Sequence, residues 1–109
     1  MTGKRAPAHL RPATAKWWRQ VAGSYELEPH HLRLLTLAGE AWDRCQQARE
    51  ILANEGPVIA DRFGQARAHP AVAIERDSRI AFARMVRELG LDTEPPTEAA
   101  RPPRIGGGR

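Results

Sequence analysis

The chain has 109 residues, 41% of them hydrophobic, and a formal net charge of +4. That length holds one domain with a small core, which calls for support from disulfides, metals or partner subunits. A single cysteine, Cys45, excludes an internal disulfide and leaves a zinc site short of thiolates, no apolar run reaches membrane-spanning length, and Met1 to Arg5 lacks the apolar stretch of a signal peptide. An intracellular protein with partner subunits and no membrane contact is the expectation.

The charge is unevenly placed. Lys4, Arg5, Arg11, Lys16 and Arg19 precede Tyr25 with no acid among them, whereas residues 26–56 carry six acids against three bases. Residues 57–91 return to four acids against six bases. A basic start beside an acidic middle points to a polyanion at one end and basic neighbours at the other. Composition divides the chain into a basic flexible arm (1–12), a packable helical part (13–91) and a flexible Pro/Gly-rich tail (92–109).

Pro12-Ala13-Thr14 reads as a helix start in which Thr14 caps a first-turn amide, and Trp17, Trp18, Val21 and Ala22 share a side before Gly23-Ser24 ends the helix. Pro29 suits the first position of a second helix, predicted over about 29–54, because its missing N–H has no partner there in any case. Leu32, Leu35, Gly39, Trp42, Cys45 and Leu52 recur at steps of three and four, with Arg49 breaking the row and Leu34, Leu37, Ala38, Ala41 and Ala48 beside it. The apolar arc covers roughly 220° at 100° per residue, wider than one packing partner needs. Two neighbours are required. Arg33, Thr36, Glu40, Asp43, Arg44, Gln47 and Glu50 fill the remaining arc as a wet face.

Asn54-Glu55-Gly56-Pro57 is stop chemistry. Val58-Ile59-Ala60 and Arg62-Phe63 flank Asp61 in either a small β-hairpin or a packed loop. Pro70 opens a third helix that runs to Leu89 with Gly90 as its cap. On it Ala71, Ile74, Ser78, Phe82, Met85, Val86 and Leu89 share one face, and Arg76, Arg79, Arg84 and Arg87 lie opposite with Ile80 and Ala83 among them. The pattern is all-α: two long antiparallel helices with a short first helix folded against their base. Pro95-Pro96, Pro102-Pro103 and Gly106-Gly107-Gly108 leave the tail too little apolar content to pack.

No arrangement of Ser/His/Asp or Cys/His supports catalysis, and the paired acids Glu40 with Asp43 and Glu75 with Asp77 read as solvated charges or salt-bridge partners. Gly106-Gly107-Gly108-Arg109 lacks the preceding strand, the lysine and the hydroxyl of a phosphate loop. His30-His31 point to different sides of a helix, so with Cys45 they make no metal site. The reading is therefore a non-enzyme without metal or cofactor. Trp17 and Trp18 diverge by about 100°, which places one in the subunit and the other against a neighbouring chain. Trp42 fills the middle of the wide arc. Trp17, Trp18, Leu35, Trp42, Ile80 and Ala83 are the expected oligomer contacts. Lys4, Arg5, Arg11, Lys16 and Arg19 are the first candidates for phosphate contact, since nothing acidic nearby in sequence competes. Arg76, Arg79, Arg84 and Arg87 either pair with the acidic middle segment or line a second phosphate surface.

A tryptophan-bearing first helix, a long second helix, a glycine-rich loop ending in His69-Pro70, and the closing Glu88-Leu89-Gly90-Leu91 together resemble the short helical branch of phage terminase small subunits, over roughly residues 13–104. The resemblance implies a non-catalytic homo-oligomeric ring in the host cytoplasm. Such a ring binds double-stranded phage DNA and regulates the large terminase subunit, which holds the ATPase and nuclease. A dimeric helical transcriptional regulator and an adaptor without nucleic-acid binding are the competing readings of the same residues.

Overall fold

A computed structural model describes residues 5–91. The expectations for Lys4 and for the tail 92–109 lie outside the described residues. The elements in order are α1 (Pro12–Ser24), α2 (Pro29–Glu55), β1 (Val58–Ala60), β2 (Ala66–Ala68) and α3 (Pro70–Leu89). The fold is all-α, a long α2–α3 hairpin with α1 packed beside it and a two-stranded antiparallel sheet at its turn.

Each helix opens on a proline, where the ring pre-sets φ and removes a donor that the first turn cannot satisfy internally. This displaces Thr14 from its predicted cap: the N-cap lies three residues earlier, at Arg11, with no side-chain cap. For α2, the Glu28 side chain accepts from the backbone of His31. His31 Nδ1 in turn accepts from the Glu28 N–H at 3.1 Å. At α3, His69 Nδ1 accepts from the Ala71 N–H at 3.0 Å. Gly90, at φ 75°, ends α3 with its own N–H bonded to Arg87 and Val86 carbonyls, and the Leu91 N–H returns to Val86. Only glycine reaches that left-handed conformation without strain.

The open choice in the α2–α3 connection resolves as a hairpin. Val58 pairs with Ala68, Ile59 with Arg67 and Ala60 with Ala66, so the second strand lies beyond Arg62-Phe63, which instead form the turn. Asp61 organises that turn: its carboxylate accepts from the Phe63 and Gln65 N–H groups at 2.8 and 2.9 Å and from Arg67 at 3.0 Å. Every residue of both strands is exposed.

Small residues line the α2–α3 seam. Ala38, Cys45, Ala48, Ala71 and Ser78 are all buried, which lets the two backbones lie close together. Ile74 is exposed instead of joining that face, and Glu75 turns inward in its place. Larger side chains gather where α1 crosses the open end of the hairpin. Leu10, Trp18, Val21 and Leu35 form the core cluster, flanked by Leu27, Leu32, Leu89 and Leu91. Burying a side chain of that size contributes about 1.5–3 kcal/mol.

The two neighbours demanded by the wide arc of α2 are thus α1 and α3 of the same chain. The face of α2 expected to be wet is covered in part, at Thr36 and Asp43, while Arg33, Arg44, Gln47 and Glu50 stay exposed. Thr14 donates its hydroxyl to Asp43 at 2.5 Å, and the Trp18 indole N–H donates to Thr36 at 3.2 Å. Ahead of α1 the chain already belongs to the packed body, because Leu10 is buried and its N–H closes a turn on the Pro7 carbonyl.

Candidate nucleic-acid interface

Phosphate binding requires cations whose charge is not already satisfied, so the ion pairs decide which predicted residues qualify. Arg11 does not. Its backbone N–H donates to Asp43 at 2.9 Å, and its guanidinium holds Glu50 with two bonds of 2.9 and 3.2 Å. The side-chain bond raises the Arg11 pKa and lowers that of Glu50. His9 Nε2 sits 2.7 Å from Glu40. The segment before α1 is distant in sequence from the acids of α2 but lies on them in space, which overturns the expectation that nothing acidic competes for it.

The arginine row of α3 divides in two. Arg79 reaches Glu75 at 3.3 Å, one turn away, while Arg49 of α2 reaches the same oxygen at 3.1 Å. Cys45 Sγ stands 3.6 Å from that oxygen. The Glu75 side chain is 18% exposed, and the bond from Arg49 is the first cause of its lowered pKa. Burial pushes the Cys45 thiol up. Arg76 pairs with Asp77 at 3.1 Å. These two arginines are therefore paired, but with acids of α3 itself and not with the acidic middle segment that the sequence offers as their partner.

Arg84 and Arg87, by contrast, have no ion pair among the described residues, and neither have Lys16 and Arg19 on α1. All four are exposed. The Trp17–Phe82 ring contact at 5.6 Å and the packing of Leu89 and Leu91 against the core cluster beside Trp17 bring α1 alongside the last turns of α3. Arg44 in the middle of α2 and Arg62 in the β-hairpin turn are also exposed without an ion pair among the described residues. Of the predicted contact residues, however, Lys16, Arg19, Arg84 and Arg87 lie toward the open end of the α2–α3 hairpin, whereas Arg76 and Arg79 stand toward the β-hairpin. Glu26 and Glu88 are the exposed acids of that end, with Glu28 engaged in capping. Arg33 belongs to the same end; the sequence reading places it on the wet face of α2 but not among the phosphate contacts, because a tally by segment hides a lone base in an acidic stretch. It lines a shallow groove of about 660 Å³ together with Arg5.

A family model described as phage terminase, small subunit, matches residues 14–102. The chain belongs to that family. No curated protein and no solved structure matches it. The matched span takes in α1 from Thr14, all of α2 and α3, and both free cation pairs. Within this small terminase chain no helix of the described residues is long and apolar enough to cross a membrane. Nor do the described residues hold a group of three or more His, Cys, Asp and Glu side chains suited to a metal ion.

The predicted contact residues separate by burial. Leu35 is 0% and Trp18 4% exposed, so both belong to the subunit's own core, the former beneath α1 and the latter tied to Thr36. Neither has surface left to offer a neighbour in this fold. Trp17 and Trp42 instead sandwich Phe82, whose ring centroid lies 5.0 Å from that of Trp42. With Ala13 and Thr14 they line an apolar cleft of about 340 Å³. Trp42 remains 41% exposed, Ile80 50%, and Ala83 is exposed beside it. Leu37 and Ile74 are exposed elsewhere, the former in the groove lined by Arg5 and Arg33 and the latter beside Ala48 and Ala71.

Proposed function

We propose that this small terminase subunit is the non-catalytic DNA-binding part of a tailed-phage packaging machine. It assembles as a homo-oligomeric ring in the host cytoplasm, engages double-stranded phage DNA and presents it to the large terminase subunit. The observation that carries the reading is that Lys16, Arg19, Arg84 and Arg87 are exposed on α1 and the last turns of α3 without acid partners among the described residues, in a chain whose family is the phage terminase small subunit.

Several exposed cations at one end act on a duplex by displacing condensed counterions, a contribution that falls with salt and needs no base contact. A ring multiplies it, since each copy presents the same patch and later contacts become effectively intramolecular. Uncovered Ile80 and Ala83, with the outer faces of Trp42 and Trp17, supply apolar surface for head-to-tail contacts of the kind that close a ring.

The test is to measure the mass of the purified protein in solution and titrate it against a DNA duplex at rising salt. A closed assembly larger than a dimer with strongly salt-dependent binding is expected. A monomer at working concentration refutes the ring, and absent binding at low salt refutes the DNA role.

A further inference from the structure

The cleft between α1 and α3 has the form of a site for an extended proline-rich strand. Three aromatic rings, Trp17, Trp42 and Phe82, stand over a floor of small side chains, Ala13 and Thr14. Proline rings in the polyproline II conformation dock in aromatic-lined grooves of this kind, because the strand is already ordered and loses little entropy on binding. We infer that the occupant is this chain's own segment Asp92–Glu98, with Pro95-Pro96 seated on the open side of the aromatic cluster of Trp17, Phe82 and Trp42.

Reach decides which prolines fit. Phe82 precedes Leu91 by nine residues, about 13 Å of helix. A strand leaving Leu91 and folding back covers about 12–16 Å by Pro95-Pro96 at the polyproline rise, while Pro102-Pro103 lie about 34–37 Å out and overshoot the cleft. The exit favours the return. Gly90 at φ 75° turns the chain off the α3 axis, and Leu91 packs with Trp17 on the same core cluster. Charge agrees with reach. Asp92, Glu94 and Glu98 surround the first proline pair with no base before Arg101. Lys16 stands on α1 next to Trp17, exposed and without an ion pair among the described residues. Docking of 92–98 covers the exposed face of Trp42 and narrows the proposed contact between copies to the Ile80–Ala83 side of α3. It stands whether or not the protein binds DNA.

Fluorine NMR of the full chain labelled with fluorotryptophan tests this directly, since the three tryptophans are assignable through Trp17→Phe and Trp42→Phe. Pro95→Ala with Pro96→Ala alters no residue of the packed helices. It should move the Trp17 and Trp42 lines and leave the line of Trp18, buried and bonded to Thr36, in place. Adding excess peptide of sequence 92–98 to that variant should restore the two lines. Unmoved Trp17 and Trp42 lines overturn the assignment. So does movement seen only at concentrations where copies associate, which would make the occupant a neighbour's tail.

Discussion

Leu10 lies across Gly39 so closely that its two δ carbons stand 3.2 and 3.3 Å from where a Cβ at that position would be, with Thr14 Cγ2 also at 3.2 Å. The crossing of α1 over α2 is built on that missing side chain. Thr14 cannot retreat, because its hydroxyl is held by Asp43 and a β-branched side chain has few alternative rotamers.

Gly39→Ala therefore sets two effects against each other. Alanine gains about 0.5–1 kcal/mol in a helix interior, while overpacking costs about 1–3 kcal/mol. The expected outcome is a net loss of about 1 kcal/mol in urea unfolding. The loss should shrink in a Thr14→Ser background, which removes the methyl and keeps the hydroxyl. A stabilised Gly39→Ala protein would show that α1 sits farther from α2 than described.

Glu75 predicts how the hairpin responds to acid. Its folded pKa lies below the ordinary value, chiefly through the bond from Arg49, so its contribution is complete above the unfolded titration near about 4.3. That contribution is lost as the pH falls through the lower folded value. Asp61 and Glu50 are shifted the same way. Urea midpoints should hold steady from neutral pH down to about 5 and then decline. Glu75→Gln should start lower at neutral pH and decline less steeply. Equal slopes for the variant and the parent would remove Glu75 as a source of the acid response.

The helices of this fold are legible in the sequence because prolines and Gly90 mark their ends and apolar spacing marks their faces. The N-terminal segment is not. Thr14 with Asp43, Arg11 with Glu50 and Trp18 with Thr36 join positions far apart in sequence, and periodicity within one helix says nothing about a polar pair across two. The same limit misplaced Leu35 on the outside, since an arc too wide for one neighbour does not reveal whether the second belongs to the same chain; for Trp17 and Trp18 the spacing required one of them to be inside without saying that it is Trp18. Of the candidate site, the arginines of α3 were named but not sorted: Glu75 and Arg79 at i,i+4 carry a pairing signal in the sequence itself, whereas the second arginine on that carboxylate, Arg49 of α2, is visible only in the fold.

Asp61 carries the β-hairpin turn with little help from packing, as both strands are exposed and Phe63 is 75% exposed at the tip. Asp61→Asn retains an oxygen for the Phe63 and Gln65 amides and loses the charged bond to Arg67, whereas Asp61→Ala loses both. Amide exchange over 58–68 should accelerate slightly in the first and strongly in the second, with the global unfolding midpoint almost unchanged in either. A large drop in global stability would mean that the hairpin is packed against more than the described contacts.

The division of the cations into paired and unpaired sets gives the sharpest test of the DNA reading. Removing residues 1–11 would also strip Leu10 from the core, so point changes are the cleaner instrument. Lys16→Gln with Arg19→Gln, and separately Arg84→Gln with Arg87→Gln, remove charges that have no internal partner, and each pair should leave the unfolding midpoint nearly constant. If each side chain neutralises one phosphate, the slope of log binding constant against log salt falls by about 0.9 per contact, or by about 2 for each double variant. Arg76→Gln with Arg79→Gln removes as much charge but from groups already satisfied by Asp77 and Glu75, so it should cost stability and barely alter the salt slope. The reverse result, a slope lost with Arg76 and Arg79 and kept without Lys16 and Arg19, would move the DNA surface to the middle of α3 and away from the open end of the hairpin.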